Sequence, residues 1–241
     1  MASSYTTNTG LELVTTGEKA GLWGTITNTN LQILEQAASG YISVDMAGAD
    51  VTLTLTNGAT SNGKNLYLRL TGTLSANRTL TMPATAERIW IVKDDTVRGT
   101  DNRTLGVLTA SSSTTTQIPP GSTVLCRSDG TDTVMTIIEK SYATITDSNS
   151  PYTAVAGAQI FANTTANPIQ ITLPASPGVG DEVTIIDTRG TFGSNNLTVE
   201  RNGSPINTGT SNLTLNNNGQ SLTLVYIDST RGWAYKTNYT S

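Results

Sequence analysis

The sequence predicts an all-β protein, with two tandem β-sandwich-like domains behind a short helical segment at the N-terminus. Three observations predict it. Apolar and polar residues alternate with a period of two from residue 41 onward. Threonine, at 45 of 241 residues, outnumbers the 14 Lys and Arg and the 18 Asp and Glu together. Thr with Val, Ile, Asn and Gly suits pleated strands joined by tight turns. Finally, one phrase is written twice, as SANRTLTMPA at residues 75–84 and as TTANPIQITLPA at 164–175.

The first 40 residues stand apart. LWGTITNTNLQILEQAASG, residues 22–40, has Ile26, Leu31, Leu34 and Ala38 at roughly helical spacing and Gly40 at the C-terminal end. Trp23 stands just ahead of the pattern. A helix this short is marginal alone in water, so its apolar stripe needs a surface in its own chain or in a partner. Trp23, Ile26, Leu31 and Leu34 are therefore the candidate attachment interface, with Trp23 the best anchor, since large aromatics dominate interface energetics.

Strands are expected at residues 51–58, 65–72, 88–93, 122–127 and 133–139, with turn signals such as Asn62-Gly63 and Asp129-Gly130 between them. The repeat extends beyond the phrase. Residues 89–94 are answered by 183–187, Asp101-Asn102-Arg103-Thr104-Leu105 by residues 194–198, and residues 121–131 by 219–230. Leu80 and Met82 share a face in the first copy, as do Ile169, Ile171 and Leu173 in the second. Proline cannot donate to a β ladder, so Pro83 and Pro174 are expected to end a strand each. The expected organisation is a segment at 1–40 and β domains at 41–140 and 141–241, the boundary falling within residues 141–147.

The chemistry-bearing residues exclude much. There is no histidine, which removes Ser-His and Cys-His nucleophile pairs and His-built zinc sites. Cys126 is the only cysteine, so no intrachain disulfide forms, and a buried strand position is expected for it. Asp94-Asp95 and Asp181-Glu182 are the closest carboxylate pairs; both lie near predicted strand ends, and adjacent strand residues point to opposite faces. No phosphate-binding glycine loop is present. No catalytic residue, cofactor or metal is expected. Asn77, Asn102, Asn196 and Asn212 match glycosylation acceptors only as a by-product of a Thr- and Asn-rich chain. A net charge of -4 and a pI of 4.8 without a basic cluster argue against nucleic acid. No apolar run is long enough to span a membrane, and the first residues have no basic start or apolar stretch, so neither insertion nor secretion is expected. At the C-terminal end, Tyr226, Trp233, Tyr235 and Tyr239 suit a sugar-stacking platform or, alternatively, a core edge or subunit contact.

Three stretches go beyond composition. LWGTITNTNLQILEQAASGY (residues 22–41), with SSYTTNTGLELVTTGEKAG before it, resembles the N-terminal segment of structural and tail-fibre proteins of marine tailed phages, cyanophages among them. LTGTLSANRTLTMPA (70–84) resembles a β domain of the same proteins, and residues 171–235 are similar to another module of marine phage fibres. The resemblance implies a virion protein, made in the host cytoplasm. It would be a short tail fibre or a collar or adaptor fibre docking through its N-terminus, with a capsid decoration or a host-surface glycan-binding module as alternatives. It also implies a homotrimer, with tail, collar or capsid proteins as partners.

Overall fold

The computed structural model describes residues 3–84, 86–98, 103–112, 114–140 and 142–240. Asp101 and Asn102 of the extended repeat, and Ser141 at the start of the expected boundary, lie outside the described residues. The chain forms two compact units. One comprises Met1–Val97, Thr104–Thr116 and Thr123–Glu139; the other comprises Arg98–Arg103, Gln117–Ser122 and Lys140–Ser241.

Unit 1 opens with an antiparallel pair, β1 (Ser4–Tyr5) and β2 (Glu12–Leu13), followed by helix α1 (Trp23–Ser39). The chain then runs through β3 (Tyr41–Asp45), β4 (Val51–Thr52), β5 (Tyr67–Thr71), β6 (Arg78–Met82), β7 (Glu87–Asp94) and β8 (Leu105–Thr109). Among β3 to β8, odd-numbered strands join one sheet and even-numbered strands another, and each from β5 on pairs in parallel with the strand two before it. The chain crosses from sheet to sheet as it advances, which is the winding of a β-solenoid. β9 (Thr116–Gln117) completes the smaller sheet, ordered β4-β6-β8-β9. The hairpin of β10 (Thr123–Asp129) and β11 (Thr133–Glu139) closes the larger one, ordered β11-β10-β7-β5-β3.

Unit 2 contains β12 (Tyr142–Ile145), β13 (Tyr152–Thr153), β14 (Gln159–Ala162), β15 (Ile169–Thr172), β16 (Glu182–Asp187) and β17 (Leu197–Glu200), followed by β18 (Leu213–Leu215), β19 (Ser221–Asp228) and β20 (Gly232–Tyr239). Its sheets are ordered β12-β14-β16-β19-β20 and β13-β15-β17-β18. Again the early strands pair in parallel and the last two form an antiparallel hairpin. The strand order is that of β3 to β11, and so is the sense of pairing throughout the larger sheet. Pro83 and Pro174 follow the corresponding strands β6 and β15.

The all-β class holds, but the units are not sandwiches. Period-two alternation reports only that one face of a strand is buried, and a solenoid meets that condition as well as a sandwich does. Of the two turn signals, Asp129-Gly130 turns the β10–β11 hairpin, but the other joins no paired strands. Asn62-Gly63 lies in a 3-10 turn, Asn62–Lys64, on the crossover from β4 to β5. In such a winding, the strand in the opposite sheet serves as the crossover that parallel neighbours require.

Alternation fills each core. In unit 1, Leu68, Leu70, Leu80, Trp90, Val92 and Val124 are excluded from solvent; in unit 2, Ile160, Ile171, Val183, Ile185, Leu197 and Leu222 are. Each such side chain contributes on the order of 2 kcal/mol by burial.

Candidate attachment surface

Helix α1 has two working faces. Ile26 and Ile33, two turns apart, are buried. Between them on the same face, Asn30 clasps the peptide of Glu12: its Nδ2 donates to Glu12 O and its Oδ1 accepts from Glu12 N, both at 2.9 Å. One turn on, Gln36 Oε1 accepts from Ser61 N at 3.3 Å. Gly40 ends the helix for want of space. Its φ of -62° suits any residue, but a Cβ there would lie 2.3 Å from Gln36 O.

The second face is bare. Trp23, Leu31 and Leu34 are 51%, 57% and 45% exposed, and Thr27 and Ala38 are exposed beside them. Spacings of four, four, three and four gather these positions into one stripe, about a third of a turn from the Ile26–Ile33 line. The stripe carries no charge, and Glu35 is the one charged residue in the helix. The expected single stripe is thereby corrected. Ile26 belongs to the intrachain face, where its partner is Ile33, and Leu31 and Leu34 share the exposed face with Trp23. Helical spacing alone could not assign Ile33, because apolar residues occupy both faces.

The tip of the β1–β2 pair is also tied down. Gly10 O accepts from Gly58 N at 2.7 Å, and Asn8 Oδ1 accepts from Glu87 N at 3.1 Å. Beneath it lies Lys64, wholly buried, its ammonium donating to Thr56 O and Ala59 O at 2.6 and 2.7 Å. Burial, and then the nearby Arg88 charge, push the Lys64 pKa down. Arg88 stands 5.3 Å over the Trp90 ring and donates to Lys64 O at 2.7 Å, and burial lowers its pKa too. This cluster holds the long crossover in place. A lysine in an Asn-Gly-Lys turn reads as solvated, so no sequence signal reveals it.

The C-terminal aromatics do not form a platform. Trp233 is wholly buried in the unit 2 core, with Tyr226 edge-on at 5.6 Å between ring centroids. Tyr235 and Tyr239 are exposed. A sugar cannot reach the indole, which corrects the glycan role for Trp233; the alternative reading as core is the one its burial fits. Exposed aromatic faces occur elsewhere. Tyr41 stacks on Tyr67 at 5.5 Å and 18°, and Tyr142 on Phe161 at 4.1 Å and 14°. Tyr41 and Tyr142 are the first residues of the corresponding edge strands β3 and β12, and both are exposed.

The acidic side chains are engaged locally. Asp94 accepts from Thr96 N and Oγ1; Asp95 pairs with Arg69; Asp181 accepts from Gly178 N; Glu182 pairs with Lys236. Asp187 accepts from the backbone of Arg189, Phe192 and Gly219. Among the described residues no three His, Cys, Asp or Glu side chains come together as metal ligands, and no helix is long and apolar enough to cross a membrane. Cys126 is buried, and burial pushes its thiol up to about 12.

No family model matches the chain, and no curated protein does. Among the solved structures that match is one of a chaperone–substrate complex, at 14% identity and a TM-score of 0.39, covering 82% of this chain and 35% of that one. This chain thus spans about a third of that structure's chain. A likeness this slight carries no argument about fold or role.

Proposed function

We propose that this chain is a structural virion protein of a tailed phage, a short tail fibre or collar or adaptor fibre. It docks on the particle through α1 and assembles as a homotrimer. The exposed, uncharged stripe of Trp23, Leu31 and Leu34 carries the reading. The Ile26–Ile33 face, about a third of a turn away, is already fastened to the rest of unit 1, so this stripe is free for a partner, and a patch of large apolar side chains is how docking surfaces look. The resemblance of residues 22–41 to phage attachment segments supports it, as does the local engagement of the carboxylates, which fits a part that builds rather than catalyses. A capsid decoration differs from this reading only in the partner that the stripe meets. Cryo-electron microscopy of the intact particle tests the proposal: density for this chain at a tail or collar vertex is expected, with the helix at the contact. Density on the head alone would favour the decoration.

A second reading, host-glycan binding, is favoured by the exposed Tyr41–Tyr67 and Tyr142–Phe161 stacks. A flat aromatic face with hydroxyl and charged neighbours suits a pyranose ring. At the first stack those neighbours are Ser43, whose hydroxyl lies 3.5 Å from Tyr41 Oη, and Arg69. Loss of binding to host lipopolysaccharide in Tyr41→Ala and Tyr142→Ala variants would establish it.

A further inference from the structure

Four Asn-Gly pairs occur in the sequence: Asn57-Gly58, Asn62-Gly63, Asn202-Gly203 and Asn218-Gly219. All four hold the same latent chemistry. The glycine nitrogen, once deprotonated, attacks the preceding Asn Cγ, because no side chain on the glycine obstructs it. Sequence cannot rank them, but the fold does.

Three of the attacking nitrogens are occupied. Gly58 N donates to Gly10 O at 2.7 Å, Gly63 N to Thr54 O at 3.1 Å, and Gly219 N to Asp187 Oδ2 at 3.0 Å. The target side chains do not separate the sites, since three of the four are held: Asn202 Nδ2 donates to Leu173 O at 2.8 Å, and two others accept backbone N–H groups. Asn62 Oδ1 accepts from Thr54 N at 2.7 Å, and Asn218 Oδ1 from Gly193 N at 2.7 Å. Gly203 differs: its N–H finds no acceptor among the described residues. Asn202 and Gly203 have φ of 48° and 89°, consecutive left-handed residues in a turn closed by Ser204 N donating to Arg201 O at 3.1 Å. A Cβ built on Gly203 would meet nothing within 4 Å, so water has free approach to the turn.

We propose that Asn202 is the site at which the folded protein deamidates spontaneously. A bond forms from Gly203 N to Asn202 Cγ, and the Cγ–Nδ2 bond breaks. Ammonia leaves, taking up the proton that the glycine nitrogen gave to solvent, and a five-membered succinimide remains. Water then adds to either ring carbonyl and opens the ring to aspartate or isoaspartate. One water is consumed, one ammonia is released, and nothing is oxidised or reduced. The product has a consequence in unit 2. Asn202 Nδ2 donates to Leu173 O at 2.8 Å, and a carboxylate has no proton to replace that donation. Conversion therefore loosens the loop between β17 and β18 from the Pro174 end of β15 and adds a negative charge.

The test is peptide mapping by mass spectrometry after incubating the full-length folded chain at mildly alkaline pH, beside the same chain unfolded in urea. The Asn202 peptide should gain one mass unit and split into aspartate and isoaspartate forms roughly ten times faster than the other three. That ratio corresponds to about 1.4 kcal/mol of extra barrier where the hydrogen bond of the glycine N–H must first break. In urea the four rates should converge. Equal or faster conversion at Asn57, Asn62 or Asn218 in the folded chain would overturn the proposal. So would a mass gain in that peptide that persists in Asn202→Gln.

Discussion

Asp94 and Asp187 are the final residues of β7 and β16, the central strands of the larger sheets, and both are buried with carboxylates accepting N–H groups from the residues that follow. Two stretches with few identical residues thus solve one problem alike. A parallel strand that must leave its sheet needs a fixed exit, and a buried carboxylate supplies it. Asp187→Ala strips acceptors from the amides of Arg189, Phe192 and Gly219. Stability in urea should fall by about 3 kcal/mol. A loss within error of zero would mean that water replaces the carboxylate at no cost.

Ile33 and Leu34 are neighbours on α1 with opposite surroundings, one fully buried and the other 45% exposed. Ile33→Ala should cost about 3 kcal/mol by the loss of a buried side chain, whereas Leu34→Ala should change stability by less than about 0.5 kcal/mol. Urea unfolding of the two variants checks this assignment of faces; a reversed order would refute it.

The duplicated phrase, the strand at residues 88–93 and the helix near residues 22–40 were legible because each rests on a local pattern of burial. The sense of strand pairing was not. Whether β5 meets β3 in parallel or antiparallel leaves the alternation of Tyr67 to Thr71 unchanged, so a sandwich was as consistent as a solenoid. The bare stripe was only half legible. Leu31 and Leu34 stood out as apolar, but which apolar residues the helix spends on its own unit depends on Glu12 and Ser61, distant in sequence.

Cys126 should behave as an inert thiol. Its folded-state pKa is raised from 9.0 to about 12 by burial, so the neutral form is favoured on folding. The stability this confers is complete below pH 9 and is lost as pH rises from 9 toward 12. A chromogenic disulfide reagent should leave the native protein unlabelled at neutral pH and titrate one thiol once urea is added. Rapid native labelling would show that the thiol is accessible.

Trp233→Ala should cost about 4 kcal/mol, because the indole fills the unit 2 core. Tyr235→Ala, at an exposed position on the same strand, should leave stability nearly unchanged. Thermal unfolding distinguishes them, and a mild effect at Trp233 would reopen a surface role for that ring.

If the chain assembles as a homotrimer, light scattering at micromolar concentration should give about three times the 25.3 kDa of the chain. A clean monomer would count against a fibre.

Docking through α1 rests on the exposed stripe, and deleting residues 1–40 would not test it cleanly. Ile26, Asn30 and Ile33 hold the helix to unit 1, so the deletion would expose apolar surface as well as remove the stripe. The direct measurement is the copy number, on purified phage particles, of a chain carrying Trp23→Ala, Leu31→Ser and Leu34→Ser. These three side chains are exposed, so the variant should unfold in urea with the wild-type midpoint while being absent from the particles. A variant that folds normally and is present on the particles at full copy number would contradict attachment through this stripe.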